Sequence, residues 1–273
     1  MLIAQITDTH IKANGRLAYG RVDTHAALAR CVTHVNALRP APDVVLVTGD
    51  LVDTGKAAEY GVLRTLLDRL AMPYYVIPGN HDERSALRNV FADAGYLPRD
   101  GQFLHYVIEH FPLRLIGLDS TIPEHPEGQM CSARLAWLDE RLREAPERPT
   151  LLFMHHPPFV TGIEHMDVQR CGNEAGFGAV VVRHRQVMRL LCGHVHRAIQ
   201  MSWHGITASI GPSHSHSVAL DLRPGGASAF VLEPPAYQLH RWTPHEGLVS
   251  HLAFVGTYDG PHPFFEKDGR LID

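Results

Sequence analysis

The run Asp43–Thr48, DVVLVT, is apolar with no polar alternation, the pattern of a strand buried on both faces. Such a strand needs helices to cover it, and amphipathic stretches lie on either side. Val22–Leu38 carries Leu28, Val32, Val35 and Leu38 at helical spacing, and Ala57–Leu70 carries Tyr60, Leu63, Leu67 and Leu70 in register. Leu2–Ile6 and Tyr74–Ile77 read as further strands and Glu83–Ala94 as a third helix. Phe103–Ile108, Leu113–Leu118, Leu151–Met154 and Val187–Leu191 predict more strands, and Ser132 a cap for a helix carrying Leu135, Leu138 and Leu142. After residue 200 the texture changes to short β-like runs broken by Gly and Pro: Ile199–Trp203, Ile206–Ile210, Val218–Leu222, Ala229–Leu232, Gln238–Trp242 and Val249–Phe254. The expectation is α/β for residues 1–200 and mainly β for 201–273. No low-complexity linker separates the parts, so the second should pack on the first.

Five of the apolar runs stop at segments rich in metal-competent side chains. Leu2–Ile6 runs into Thr7-Asp8-Thr9-His10, and Val44–Val47 into Thr48-Gly49-Asp50. Tyr75–Ile77 runs into Pro78-Gly79-Asn80-His81-Asp82, Leu151–Met154 into His155-His156-Pro157, and Leu190–Cys192 into Gly193-His194-Val195-His196. In an α/β sheet the loops beyond the C-terminal strand ends are where ligands collect, so these segments should converge on one rim. Each alone is weak. Asp-x-His suits any solvated loop, Gly-Asp suits any turn, and Asp82 also suits a helix cap. All five in order, each at a strand end, point to a metal site. The 20 histidines agree, being spread along the chain rather than run together as in a sequestering tract.

Composition excludes several classes. The formal charge is −4 and no basic block stands out, which argues against a nucleic-acid partner. No apolar run reaches the ~20 residues of a membrane span, and the N-terminus lacks the basic region of a signal peptide, so the expectation is a cytoplasmic protein with no membrane partner. Cys31, Cys131, Cys171 and Cys192 show no Cys-x-x-Cys spacing and read as buried free thiols.

The ordered set D-x-H, GD, GNH[DE], H-x-P and GH-x-H resembles the calcineurin-like metallophosphoesterase superfamily, and all five blocks stand without substitution between residues 8 and 196. TDTH, AYGRVD, VTGDLVDTG, YYVIPGNHD, FMHHPPF and LLCGHVH make the chain look most like the bacterial class III cyclic-nucleotide phosphodiesterase group, and within it like the hexameric glycerophosphodiesterases. The resemblance implies a four-layer αββα sandwich of two mixed β-sheets. It also implies a catalytic core over residues 1–200, with 201–273 completing the second sheet and adding a small β-rich cap or oligomerisation segment. It assigns Asp8, His10 and His196 to one metal, Asn80, His155 and His194 to a second, and Asp50 to both. His156 could replace His155, but the His-x-Pro pattern favours His155. Such mixed ligation suits Fe, Mn, Zn or Co without choosing among them, and cysteine is absent from the set. Two divalent ions ~3.5–4 Å apart can clamp a phosphoryl group and generate hydroxide at neutral pH.

The implied reaction is hydrolysis of small phosphodiesters by in-line attack of a metal-bound hydroxide, with Asn80 and His81 touching substrate and His81 as the catalytic residue. Two divalent ions, two carboxylates and a hydroxide leave roughly one positive charge, which complements a diester. Tyr19 and His214 are further substrate candidates, Asp23 is a substrate or helix-cap candidate, and His216 reads as structural. Glycerophosphodiester-like substrates are favoured over 3′,5′-cyclic nucleotides such as cyclic AMP. A nuclease of the same superfamily is disfavoured by charge. A metal-binding interaction module without chemistry should have lost a ligand or His81, and neither is missing. The aromatic tail with Tyr258, Phe264 and Phe265 suggests a homo-oligomer, a dimer or an assembly of dimers.

Overall fold

The structure, a computed structural model, describes residues 1–272. The apolar runs form two mixed sheets. Numbered along the chain, their strands are β1 (Leu2–Ile6), β2 (Val44–Thr48), β3 (Tyr74–Ile77), β4 (Tyr106–Ile108), β5 (Arg114–Leu118), β6 (Thr150–Met154), β7 (Val187–Cys192), β8 (Ile199–Trp203), β9 (Ile206–Ile210), β10 (Ala236–Thr243) and β11 (Gly247–Phe254). The first sheet has the order β11-β10-β1-β2-β3 and the second β8-β9-β7-β6-β5-β4. Each contains a parallel run, β1-β2-β3 in one and β5-β6-β7-β9 in the other. All of β2, β5 and β6 is buried, as their mainly apolar runs require, Arg114 at the start of β5 included.

Helices cover the outer faces, so the layers run helix, sheet, sheet, helix. Thr24–Ala37 buries Leu28, Cys31, Val32 and Val35, and Ala57–Leu67 buries Tyr60, Leu63, Leu66 and Leu67. Asp23 caps the first of these by accepting from Ala26 N at 2.9 Å. Ser132–Arg143 and Glu174–Arg183 pack together beside the second sheet. The strands after residue 198 are shared out. β8 and β9 extend the second sheet, whereas β10 pairs antiparallel with β1 and extends the first.

Some boundaries differ from the sequence reading. The stretch Phe103–Ile108 gives strand only from Tyr106, and Ser132 opens its helix with Cys131 at the cap position. The helix expected from Glu83 runs Arg84–Val90, and its cap is Glu83, whose carboxylate accepts from Ser85 N and Ala86 N. Asp82 turns inward instead. It accepts from Leu51 N, Val52 N, Gly79 N and the Tyr60 hydroxyl, tying the loop after β2 to the loop after β3. Cys31, Cys171 and Cys192 are buried free thiols, and Cys131 is partly exposed. Among the described residues, no helix is long and apolar enough to cross a membrane.

Candidate metal centre

The five strand-end segments meet at the C-terminal edges of both sheets. β1 delivers Asp8 and His10, β2 Asp50, and β3 Asn80 and His81, while β6 delivers His155 and β7 His194 and His196. Of these eight side chains, Asp8, His10, Asp50, His155, His194 and His196 are buried. The backbone is bent to aim them. Asp8, His10, Asp50, His194 and His196 all have positive φ, between 42° and 75°. That region is costly for residues with a Cβ, and such strain clusters at working sites. Glycine makes the crowding feasible. A Cβ on Gly49 would strike the His155 ring, and one on Gly79 would strike Asp50.

The donors fall into two groups. In one, His10 Nε2 lies 3.2 Å from His196 Nε2 and 3.6 Å from Asp50 Oδ2, and His196 Nε2 lies 3.4 Å from Asp8 Oδ1. In the other, His155 Nε2 lies 3.1 Å from Asn80 Oδ1, 3.3 Å from Asp50 Oδ2 and 3.2 Å from His194 Nδ1. Asp50 belongs to both groups. Ligand atoms of Asp8, His10, Asp50 and His196 all lie within 4.8 Å of one another, close enough to share a cation.

Tautomers show what these atoms need. His155 Nδ1 donates to Thr48 O at 2.9 Å, and His196 Nδ1 donates to His216 O at 3.1 Å. In the neutral ring each Nε2 then has only a lone pair, and it faces carboxylate or amide oxygens. Lone pair against lone pair is repulsive unless a cation lies between them. The electrostatics agree. Burial opposes charge on His155, yet Asp50 and Asp8 outweigh it and lift its pKa to about 9, so with no metal bound a proton takes the cation's place on Nε2. Burial likewise works against the Asp50 carboxylate, and His155, His81 and His10 still hold it well below the usual range. The residues therefore fit a pair of cations.

His156 is the weaker ligand candidate. Its Nδ1 meets Ser120 Oγ at 2.8 Å and its Nε2 meets Pro126 O at 3.1 Å, so both nitrogens are occupied. His81 donates from Nδ1 to Asp53 O at 2.9 Å, leaving Nε2 free at the site. A cavity of about 320 Å³ opens over the donors, lined by Asp50, Asn80, His81, Tyr19, His216 and Phe230 among others. Tyr19 thus stands on its wall, with ring centroids 5.2 Å from Phe230 and 5.3 Å from His216.

His214 does not reach the cavity. It is buried, both its ring nitrogens are without partners, and His216 takes the place on the wall expected for it. The choice between two histidines two positions apart depends on how the chain turns into the short strand Ser217–Val218, which the sequence does not state. Asp53 was also missed. Its carboxylate lies 3.5 Å from His10 Nδ1 and pairs with Lys12, while its carbonyl fixes His81. The available signal was its place in the Gly49-Asp50-Leu51-Val52-Asp53 segment. His165, Met166 and Gln169, from the turn of helix Glu164–Asp167, complete the wall and carried no sequence signal.

Comparison with known proteins places these features. The model of a family described as calcineurin-like phosphoesterase matches residues 1–198. A probable glycerophosphodiester phosphodiesterase of Arcobacter nitrofigilis, GpdQ, is 44% identical over the full length of both chains. The glycerophosphodiester phosphodiesterase GpdQ of Enterobacter lignolyticus is 34% identical over 95% of each. The 3′,5′-cyclic adenosine monophosphate phosphodiesterase CpdA of Escherichia coli is 31% identical over 77% of this chain and 75% of its own. Among solved structures, a dimetal phosphatase from Danio rerio superposes with a TM-score of 0.61 over 94% of this chain and 99% of its own, at 14% identity. That likeness speaks to the fold.

Proposed function

The chain belongs to the calcineurin-like phosphoesterase family, and on that premise we propose that it hydrolyses small phosphodiesters of the glycerophosphodiester kind. The observation that carries this reading is the convergence of two groups of lone pairs on Asp50, beneath a cavity that the free Nε2 of His81 adjoins. Asp8, His10 and His196 would hold one divalent ion, Asn80, His155 and His194 the other, and Asp50 both. A pair of such ions supplies Lewis acidity toward a phosphoryl oxygen and a water made nucleophilic at neutral pH. Fe, Mn, Zn and Co all suit the donors.

The side chains do the rest. Asn80 contributes a neutral amide, which leaves net positive charge for a singly charged diester. His81 donates its Nδ1–H to Asp53 O, and as the imidazolium it presents Nε2–H to hydrogen-bond a phosphoryl oxygen or to protonate the departing alkoxide. Burial opposes that charge, but Asp50 and Asp53 outweigh it and raise the pKa. Tyr19, His216 and Phe230 form an aromatic wall for one ester arm. The 44% identity to a probable glycerophosphodiester phosphodiesterase, against 38% to a probable cyclic nucleotide phosphodiesterase of similar coverage, favours the alkyl diester.

The test is a panel with metal-reconstituted protein: glycerophosphoethanolamine, cyclic AMP, bis(p-nitrophenyl) phosphate and p-nitrophenyl phosphate. Mn²⁺-dependent turnover of the diesters is expected, with His81→Asn slower by about 10²-fold in kcat. No metal-dependent turnover, or a preference for the monoester, would overturn the reading, and a preference for cyclic AMP would move the substrate class.

The same reading extends to assembly. The tail beyond Val255 exposes Tyr258, Phe264 and Phe265, with Phe264 79% exposed, and β11 exposes Leu252 and Phe254 beside it. Apolar surface of this kind marks a contact, and we propose a second copy as its partner. Sedimentation should give a dimer or larger assembly for the full chain and a monomer for a chain ending at Val255. A monomeric full chain at micromolar concentration would contradict this.

A further inference from the structure

Gln5 lies in β1, buried between the sheets. Its Nε2 donates to Thr48 Oγ1 at 3.0 Å and to Cys192 O at 2.8 Å. Thr48 is the last residue of β2 and Cys192 the last of β7, so one side chain ties a strand end of the first sheet to a strand end of the second. The residues that follow are Gly49-Asp50 on one side and Gly193-His194-Val195-His196 on the other. Thr48 O also accepts from His155 Nδ1, so the tie reaches donors of both groups.

The orientation of Gln5 is dictated. A carbonyl only accepts, so the atom facing Cys192 O is the amide nitrogen and Oε1 must face away. Oε1 lies 3.2 Å from His240 Nε2, which therefore carries the proton of a neutral imidazole. His240 Nδ1 is left to accept from Ser250 Oγ at 2.7 Å, and Ser250 Oγ accepts in turn from Arg189 Nη1. Sheet register supports the arrangement. Gln5 pairs with Gln238, two residues from His240, and His240 pairs with Ser250, so all three side chains project from one face of the first sheet. Arg189 comes from β7 of the second sheet.

We propose that Gln5, held by the His240–Ser250–Arg189 relay, is a positioning residue that holds the two sheet edges at the spacing the two-ion centre needs, since each half-site takes ligands from both sheets. This rests on the reading of the site as a two-ion centre. A buried polar side chain bridging two sheets could have been replaced by a packed apolar one if cohesion were its whole task. Its bonds instead end on the residues that precede the ligand loops.

The experiment is titration of the metal-free protein with Mn²⁺, followed by calorimetry and by the exchange-coupled Mn²⁺ pair signal in electron paramagnetic resonance. Wild type should bind two equivalents and show the coupled signal. Gln5→Met removes both donors, while Cys192 O keeps its bond from Gly211 N. It should weaken the second equivalent by about 10–100-fold and lose the coupled signal, with cooperative melting of the metal-free protein retained. His240→Leu should weaken it about tenfold, and His240→Gln, whose amide can still donate to Gln5, should restore it to within about threefold. If Gln5→Met fails to fold, the His240 pair decides. Wild-type affinity and coupling in His240→Leu, or equal impairment in His240→Gln, would overturn the proposal alone. A wild type that binds no second equivalent would remove the two-ion reading along with it.

Discussion

Asp50→Asn will lower kcat/KM for a phosphodiester at least about 10³-fold while leaving the far-ultraviolet circular dichroism unchanged. Its Oδ1 accepts the His81 backbone N–H at 3.0 Å, and an amide oxygen of the same shape can keep that bond. Oδ2 is the atom that matters. It lies 3.6 Å from His10 Nε2 and 3.3 Å from His155 Nε2, one from each donor group, and it is the shared negative charge between them. Asparagine keeps the volume and removes that charge. Two divalent ions would then face one carboxylate, Asp8, in place of two. A Lewis-acid contribution of several kcal/mol, at about 1.4 kcal/mol per tenfold, corresponds to three decades or more. Turnover of bis(p-nitrophenyl) phosphate and metal content after gel filtration read the two consequences together. Activity within tenfold of wild type, with two metals retained, would show that Asp50 is not the shared ligand.

The strand-end segments were legible because strand identity and chemistry are both local. DVVLVT declares a buried strand, and Gly49-Asp50 follows it directly. Why glycine precedes Asp50 is not local, since its missing Cβ makes room for His155, more than a hundred residues away in the chain. Positive φ at Asp8, His10, Asp50, His194 and His196 is equally hidden, because neither Asp nor His announces such a backbone and only the packed surroundings impose it. The helix cap went to Glu83 because Asp82 had better partners from other segments in Leu51 N, Val52 N and Tyr60. The cavity wall was the least readable part. Phe230 sits on a two-residue strand and Met166 on a four-residue helix, too short for either to show a period. His216 displaced His214 for the same reason.

Asp119 marks the other boundary of such reading. Leu118-Asp119-Ser120 ends β5 with the look of a ligand segment, an apolar strand stopping at a carboxylate. In the fold its oxygens are already used. Oδ2 accepts from Arg84 Nε at 2.6 Å and Leu104 N at 3.0 Å, and Oδ1 accepts from Arg84 Nη2 at 3.0 Å and Thr121 Oγ1 at 2.7 Å. Asp119 is fully buried, so Asp119→Ala leaves Arg84, itself only 15% exposed, without its charge partner. That should cost about 3–5 kcal/mol and lower Tm by roughly 10 °C. Burial alone would raise the Asp119 pKa, but the hydrogen bond and charge of Arg84 outweigh it and leave it lowered. The stability it lends is then complete above the unfolded value of about 3.9 and fades as pH falls through the depressed folded value. Wild type and variant should differ most near pH 7 and converge in strong acid. Adding Arg84→Met to Asp119→Leu should recover part of the loss, because a paired apolar replacement strands no charge. Well below its Tm, Asp119→Ala should still bind two equivalents of Mn²⁺. Loss of one equivalent with an unchanged Tm would make Asp119 a ligand rather than the counterion of Arg84.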